Sequence, residues 1–508
     1  MRKVLLFVVL LFPGVCFSQS VYQTHCAACH GADRLGGMGP ALLPENLSRL
    51  KKAEAARMVR DSRPGVQMPA FKNELNEQQV SSLVELIYSP VMPAPQWGET
   101  EIRASRTIHK TSPDIGRPRL VADPLNLFVV VEAGDHHVTI LDGERLEPIH
   151  RFASRYALHG GPKFSPDGRY VYFASRDGWL TKYDLWNLET VAEVRAGINT
   201  RNAAVSSDGN YVVAANYLPH TLAVFDSQLN LLKLMDAKDE KGNSSRVSAV
   251  YDAAPRRSFI VALKDLPELW EVSYDPKAED IAAGLVHDFR LKEGAFVSGF
   301  LHPRRTPLEE PLDDFFFTPD YRQVVGTQRD GRRATVVHLD VRRAIATLEL
   351  PGLPHLGSGI TWERQGRRVM ATPNLKEGVV TVIDVASWQT VKQVPTLGPG
   401  FFLRSHEASR YAWVDSMMSP QGRDTLQLID KQTLEVVARL TPAPGKTLAH
   451  IEFDRYGRYA LASLWEDDGA LIVFDAATLK EVKRIPMRKP VGKYNVANKI
   501  ERSEGTSH

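Results

Sequence analysis

The chain has 508 residues, 63 Lys+Arg against 60 Asp+Glu (net charge +3), and is 43% hydrophobic and 24% charged. Those values exclude long disorder and a basic nucleic-acid-binding surface, and the length exceeds one ordinary core, so two domains or one large repeat are expected. Three cysteines in such a length exclude a disulfide scaffold.

The chain opens Met1-Arg2-Lys3, runs apolar from Val4 to Phe12, and continues through Pro13 and Gly14 to the small residue Ser18. A basic start, a short apolar run and small residues read as a signal peptide over 1–18, cleaved near Ser18/Gln19, and so as an exported, periplasmic protein. The run is too short to cross a bilayer, and no later stretch of about 18 apolar residues follows, so no membrane span is expected. Cys16 leaves with the leader, and Cys26 and Cys29 remain.

Residues 19–89 form the first predicted domain. Cys26-Ala27-Ala28-Cys29-His30 is a C-x-x-C-H sequence, the attachment signature of a covalent c-type haem. Two thiols at this spacing reach two vinyl groups, while the next residue turns its imidazole to the iron, so one haem c with His30 as axial ligand is expected. For the sixth ligand Met68, in Gln67-Met68-Pro69, is preferred over Met38, in Gly37-Met38-Gly39; a thioether raises the haem potential, which suits electron transfer. Val80, Leu83, Val84 and Ile87 recur at helical spacing behind Asn76, a good N-cap, which predicts a helix over 76–88. The segment resembles a small all-α class I cytochrome c. Ser89-Pro90-Val91-Met92-Pro93-Ala94-Pro95 then breaks the helix, and 90–100 reads as a Pro-rich linker.

From 101 to 508 the chain repeats itself. A polar turn, an apolar strand and a second strand ending in Asp recur, most clearly at Ser165-Pro166-Asp167-Gly168 and Ser207-Asp208-Gly209, with further copies near Asp123, Asp252, Thr318, Arg364, Glu407 and Asp454. Eight copies at spacings of roughly 40–47 residues, with one interval near 66, predict an all-β eight-bladed propeller. The extra length of the long interval is assigned to a loop over His302 to Asp314.

The propeller holds no cysteine, which excludes iron–sulfur and copper–thiolate centres and leaves histidines as ligands. His136, His137 and His338 lie in or beside repeat strands and rank low. His159, His355 and His450 occupy roughly equivalent slots at the end of the connection leading into a blade, and His406 sits a few residues later in its own repeat. Equivalent slots in a closed ring converge on its axis, where imidazoles can ligate a metal and supply a base.

Two further strings carry a family resemblance: Tyr156-Ala157-Leu158-His159 followed by Arg169-Tyr170 and Asp184-Leu185-Trp186, and the C-terminal Gly492-Lys493-Tyr494-Asn495-Val496. With the haem c motif and eight blades in this order, the chain resembles the cytochrome cd1 group over almost all its mature length. That resemblance implies a propeller binding a d1-type haem, with His159 as proximal iron ligand and either His355 or His406 as distal ligand. It also implies carboxylate-binding arginines at Arg176, Arg201 and Arg246, with Tyr217 against the ring. The group holds two chemistries. The compact first domain, together with His450 and Tyr494, resembles the dihydro-haem d1 dehydrogenases. In that reading a propionate becomes an acrylate, His450 is the general base, Tyr494 assists, and electrons pass to haem c and on to a periplasmic acceptor. Product haem d1 would go to a nitrite reductase. Nitrite reduction to nitric oxide, with His355 and His406 as a distal pair, is the alternative, and a non-catalytic haem d1 carrier is a third reading.

Overall fold

The computed structural model describes residues 13–37, 39–47, 50–61, 68–110, 116–288, 291–328 and 333–501, without the side chains of 13–17, 159 and 160. The apolar run Val4–Phe12 lies outside them. The chain divides into two compact units, Met1–Trp97 and Gly98–His508. Among the described residues no helix is long and apolar enough to cross a membrane.

The first unit is helical: Pro13–His25, Ala27–His30, Pro44–Leu47, Lys52–Asp61 and Glu77–Ile87. The last of these starts where its cap predicts. Asn76 Oδ1 accepts from the Gln79 amide at 2.9 Å, and Gln79 Oε1 accepts from the Asn76 amide at 2.9 Å, a reciprocal cap that satisfies two otherwise orphaned donors. Its apolar stripe, Val80, Leu83 and Ile87, packs with Tyr22 and Phe71.

The second unit contains eight blades of antiparallel strands, as the repeats predict. The first strand of each blade is innermost: Leu158–Phe164, Asn199–Val205, Val247–Ala253, Leu312–Phe317, Ile360–Arg364, Leu403–Arg404, Leu448–Phe453 and Pro490–Asn495. The last of these closes the ring by pairing with Leu127–Glu132 near the start of the unit, with Phe128 opposite Asn495 and Val131 opposite Gly492. We call the end at which the chain enters these inner strands the upper end. The turns between second and third strands lie there too; those between first and second, and third and fourth, lie at the lower end.

The strand-ending Asp of the repeat has a physical reason. Asp142, Asp184, Asp384, Asp430 and Asp475 each accept the amides two and three residues on. The fourth residue on then sits at positive φ (Leu146, Leu188, Trp388, Leu434 and Leu479), so the carboxylate holds a tight lower-end turn that its backbone alone disfavours. Asp184 does most: fully buried, it also takes Arg169 Nη2 at 2.8 Å and Asn187 Nδ2 at 2.9 Å. Asp184→Ala strands the Arg169 charge, so it should cost about 3–5 kcal/mol, read as a lowered midpoint in denaturant unfolding of the propeller.

The long interval is differently built from the expectation. Pro303–Pro307 is the fourth strand of blade 4 and Leu312–Phe317 the inner strand of blade 5. The extra residues instead form a separate hairpin, Ile281–Asp288 with Glu293–Val297, between the third and fourth strands of blade 4. That connection belongs to the lower end, so the insertion is no lid over the upper face.

Candidate functional site

In the first unit Cys26 is buried in the apolar cluster that Met68 packs against. Burial, followed by the neighbouring Cys29, pushes the Cys26 thiol up to about 11. His30 is buried, which lowers its pKa and keeps the imidazole neutral. Its Nδ1 donates to the Pro40 carbonyl at 2.8 Å, which fixes the tautomer and leaves Nε2 for a metal. Gly39 passes so close that a Cβ there would stand 2.6 Å from His30 Cε1, so the glycine is needed for the ring's setting. Two free thiols, an oriented imidazole and a nearby thioether fit a haem c. Met38 lies outside the described residues.

In the second unit the side chains converge at the upper end on two sides. Across blades 2 to 4 cations gather round one aromatic ring: Arg201, Arg246 and Lys264 stand 4.7, 5.3 and 5.8 Å from the centre of Tyr217. Arg201 is the third residue of its inner strand, Arg246 directly precedes the next, and Tyr217 is the next-to-last residue of the second strand of blade 3, Tyr211–Leu218. Arg246 Nε donates to Asp265 at 2.7 Å, and Lys264 pairs with Asp313. Arg176, in the upper turn of blade 2, is reached by solvent but crowded by protein; that crowding, then the Arg201 charge, pulls its guanidinium down to about 10. Cations held this close repel one another, and a polyanionic ligand relieves the repulsion. The structure thus brings together Arg176, Arg201, Arg246 and Tyr217, and adds Lys264, which the repeat pattern did not single out.

On the other side, rings run in contact from blade 6 to the closing strand. His355 lies 4.1 Å from Phe401, Phe401 4.6 Å from Phe402, Phe402 4.6 Å from His450, and His450 5.1 Å from Tyr494, centre to centre. His355 Nδ1 donates to the Phe401 carbonyl at 2.8 Å, which leaves Nε2 as the nitrogen with a lone pair to offer a metal, and burial pushes its pKa down to about 4. Asp415 holds the Phe401–Phe402 turn by accepting their amides at 2.8 and 3.1 Å; burial raises its pKa to about 6. Tyr494 is given room by glycines, since a Cβ at Gly161 would meet its ring at 3.1 Å and one at Gly492 its hydroxyl at 2.6 Å. Burial pushes the Tyr494 hydroxyl up to about 12, so it stays protonated.

His450 is fully buried, and its Nε2 has no hydrogen-bond partner among the described residues. Burial, then the charges of Lys493, Arg404 and Lys499, holds its pKa well below the usual histidine range. A buried ring nitrogen without a partner costs free energy unless a ligand supplies one. His159 is the second residue of its inner strand, paired with Ala174; its side chain lies outside the described residues.

His406 does not join this group, contrary to the slot assigned to it. It lies in the turn after Leu403–Arg404, the lower end of blade 7, whereas His355 meets Phe401 before that strand begins. At 3% exposure, its ring packs toward Phe453 and its Nδ1 accepts the Ala408 amide at 3.1 Å. It braces a turn on the far side of Leu403–Arg404 from Phe401, the partner of His355. Among the described residues no three His, Cys, Asp or Glu side chains cluster to hold a metal ion.

Beneath the ring array lies a set of buried charges that the sequence reading passed over: Arg404, Glu452 and Lys493, with Lys499 of the C-terminal helix Val496–Glu501 beside them. Lys493 and Lys499 flank the Tyr494 that was singled out, which was the available signal.

Comparison with known proteins agrees with this geometry. The family described as Cytochrome D1 heme domain matches residues 122–293 and 298–499, and that described as Cytochrome C oxidase, cbb3-type, subunit III matches 18–87. A dihydro-heme d1 dehydrogenase of Pseudomonas aeruginosa is 54% identical over 492 residues, 96% of this chain and 95% of that protein. A nitrite reductase of Stutzerimonas stutzeri is 25% identical over 535 residues, 95% of this chain and 92% of that protein. A solved structure of dihydro-heme d1 dehydrogenase NirN in complex with DHE superposes with a TM-score of 0.86 at 54% identity, covering 95% of this chain and all of that one. With a c-type cytochrome unit ahead of an eight-bladed haem d1 propeller, this chain belongs to the cytochrome D1 haem-domain family.

Proposed function

We propose that this protein is a periplasmic dihydro-haem d1 dehydrogenase, acting in haem d1 biosynthesis. The observation that carries the reading is His450: buried, with an unpartnered Nε2, and seated between Phe402 and Tyr494 at the upper end. The substrate's carboxylates are taken by Arg176, Arg201 and Arg246 around Tyr217, which fixes the ring in the funnel. His159 and His355 supply imidazoles to its iron. One propionate, –CH2–CH2–COO⁻, becomes –CH=CH–COO⁻ with loss of two protons and two electrons. His450 Nε2 accepts a proton, and the Tyr494 hydroxyl orients the reacting carboxylate. Cations around His450 disfavour an imidazolium before substrate binds; the anionic substrate offsets them, so the base becomes effective when substrate is bound.

When bound at Cys26, Cys29 and His30, with Met68 as sixth ligand, haem c supplies one-electron acceptance. Two such transfers complete one turnover, and a periplasmic acceptor takes the electrons onward. The domain bounds follow: leader 1–18, cytochrome 19–89, linker 90–100, propeller 101–508, with a nitrite reductase as recipient of product haem d1. The nitrite-reducing reading drew on His355 and His406 as a distal pair, and their separation to opposite ends of the blades removes that support.

Anaerobic addition of dihydro-haem d1 to the oxidised holoprotein should reduce haem c, two equivalents per substrate consumed, followed in its visible absorption bands. Binding of the tetrapyrrole with no haem c reduction would favour the carrier reading. Cys26→Ser with Cys29→Ser should leave tetrapyrrole binding intact and stop multiple turnover, measured as product per protein by chromatography.

A further inference from the structure

Lys493 is fully buried, and its Nζ touches His450 twice and Ser463 once. It donates to the His450 carbonyl oxygen and to Ser463 Oγ at 2.9 Å, and it faces His450 Nδ1 at 3.4 Å. These partners distinguish the two forms of the amine. An ammonium has three N–H groups and no acceptor site, so it would donate to Nδ1 and force the imidazole proton onto Nε2, which then faces the substrate as a donor. A neutral amine has two N–H groups, used by the carbonyl and the hydroxyl, and one lone pair left for Nδ1–H. Only then does Nε2 present a lone pair to the upper end.

Resting on the dehydrogenase reading above, we propose that Lys493 works as a neutral amine that sets the His450 tautomer and receives the proton His450 passes on. Lys493 is thus a positioning residue, paired with His450 as the site's proton acceptor. As a propionate C–H bond breaks, its proton bonds to His450 Nε2, the Nδ1 proton moves to Lys493 Nζ, and an electron leaves for haem c. Lys493 then gives up its proton, a periplasmic one-electron acceptor (an added chemical oxidant in the test) reoxidises haem c, and the second C–H proton and electron follow the same route. Glu452, on the adjacent inner strand and also fully buried, is the opposite charge acting most strongly on Lys493, and its Oε2 has no hydrogen-bond partner among the described residues; in this route it takes the proton from Lys493.

The surroundings favour the neutral amine. Burial holds the Lys493 pKa well below that of an ordinary lysine, and Arg404 from blade 7 lowers it further; Glu452 of blade 8 and Asp415 of blade 7 oppose this. Lys499, from the C-terminal helix, and Arg404 also face His450, and Tyr494 adjoins it on the closing strand.

The test uses haem c-loaded wild type, Lys493→Met and Lys493→Arg. Dihydro-haem d1 binding is followed by absorption, and single-turnover acrylate formation by chromatography from about pH 6 to 9, the range spanning neutral titrations. The wild-type rate should rise with pH through one group and then level. Lys493→Met, similar in volume, should bind substrate as wild type does, react about 100-fold more slowly and lose the rise. Lys493→Arg, always charged and a donor only, should be as slow at every pH. A Lys493→Arg protein with wild-type rate and pH profile overturns the proposal, as does a wild-type rate that falls as pH rises. An inactive wild type would count against the dehydrogenase reading itself, whereas an active wild type matched by Lys493→Met removes only the role of Lys493.

Discussion

His450→Ala should lower acrylate formation by about two to four orders of magnitude, the range for loss of a positioned general base, while dihydro-haem d1 binding stays near wild type. The asymmetry follows from where the residue sits. Arg176, Arg201 and Arg246 gather around Tyr217 on the side of blades 2 to 4, where the proposed reading places the macrocycle's carboxylates. His450 sits in blade 8 and makes contact through Phe402 and Tyr494. Removing its imidazole also withdraws the partner that Lys493 Nζ meets at 3.4 Å, but the Lys493 bonds to Ser463 and to the backbone carbonyl persist, so the local fold should survive. Single-turnover chromatography with a parallel absorption titration separates the two effects. Equal losses of binding and rate would make His450 a binding residue instead.

The paired change Arg201→Gln with Arg246→Gln should do the reverse. Each arginine offers a charge-assisted hydrogen bond to a carboxylate worth about 1.5–3 kcal/mol. Losing both should weaken dihydro-haem d1 binding by about two to four orders of magnitude, with little change in the rate at saturation. Fold damage should be slight, because Arg246 leaves behind only Asp265, which is exposed and can be hydrated. The titration should also become less sensitive to salt, since two of the cations drawing in the polyanion are gone. Retained affinity would move the carboxylate site elsewhere in the upper end.

Features that depend on near neighbours were legible in the sequence. Cys26, Cys29 and His30 act through local spacing, Asn76 caps the helix that follows it, and an Asp that ends a third strand, such as Asp184 or Asp475, folds its own turn. The count of eight blades came from the polar turns between first and second strands, such as Ser165-Pro166-Asp167-Gly168. What failed depended on position across the blade. His406 lies only a few residues from the slot shared by His355 and His450, but the inner strand of blade 7 is Leu403–Arg404 alone. Those few residues therefore carry it past the strand into the lower turn. The insertion was misplaced for a related reason: a repeat interval shows that residues are extra, not which of four connections holds them. The buried charges were hidden because Arg404, Glu452, Lys493 and Lys499 come from separate stretches of chain. Each alone reads as a solvated surface residue, and only closure of the ring by Pro490–Asn495 buries them together.

The central claim is that the upper end converts a propionate of dihydro-haem d1 to an acrylate. Anaerobic incubation of the oxidised, haem c-loaded protein with dihydro-haem d1, with chromatographic separation of the tetrapyrroles, tests it directly. The expected result is one haem d1 bearing the acrylate side chain for every two haem c reduced. Recovery of unchanged dihydro-haem d1, from protein that binds it and turns over nitrite once loaded with haem d1, would contradict it.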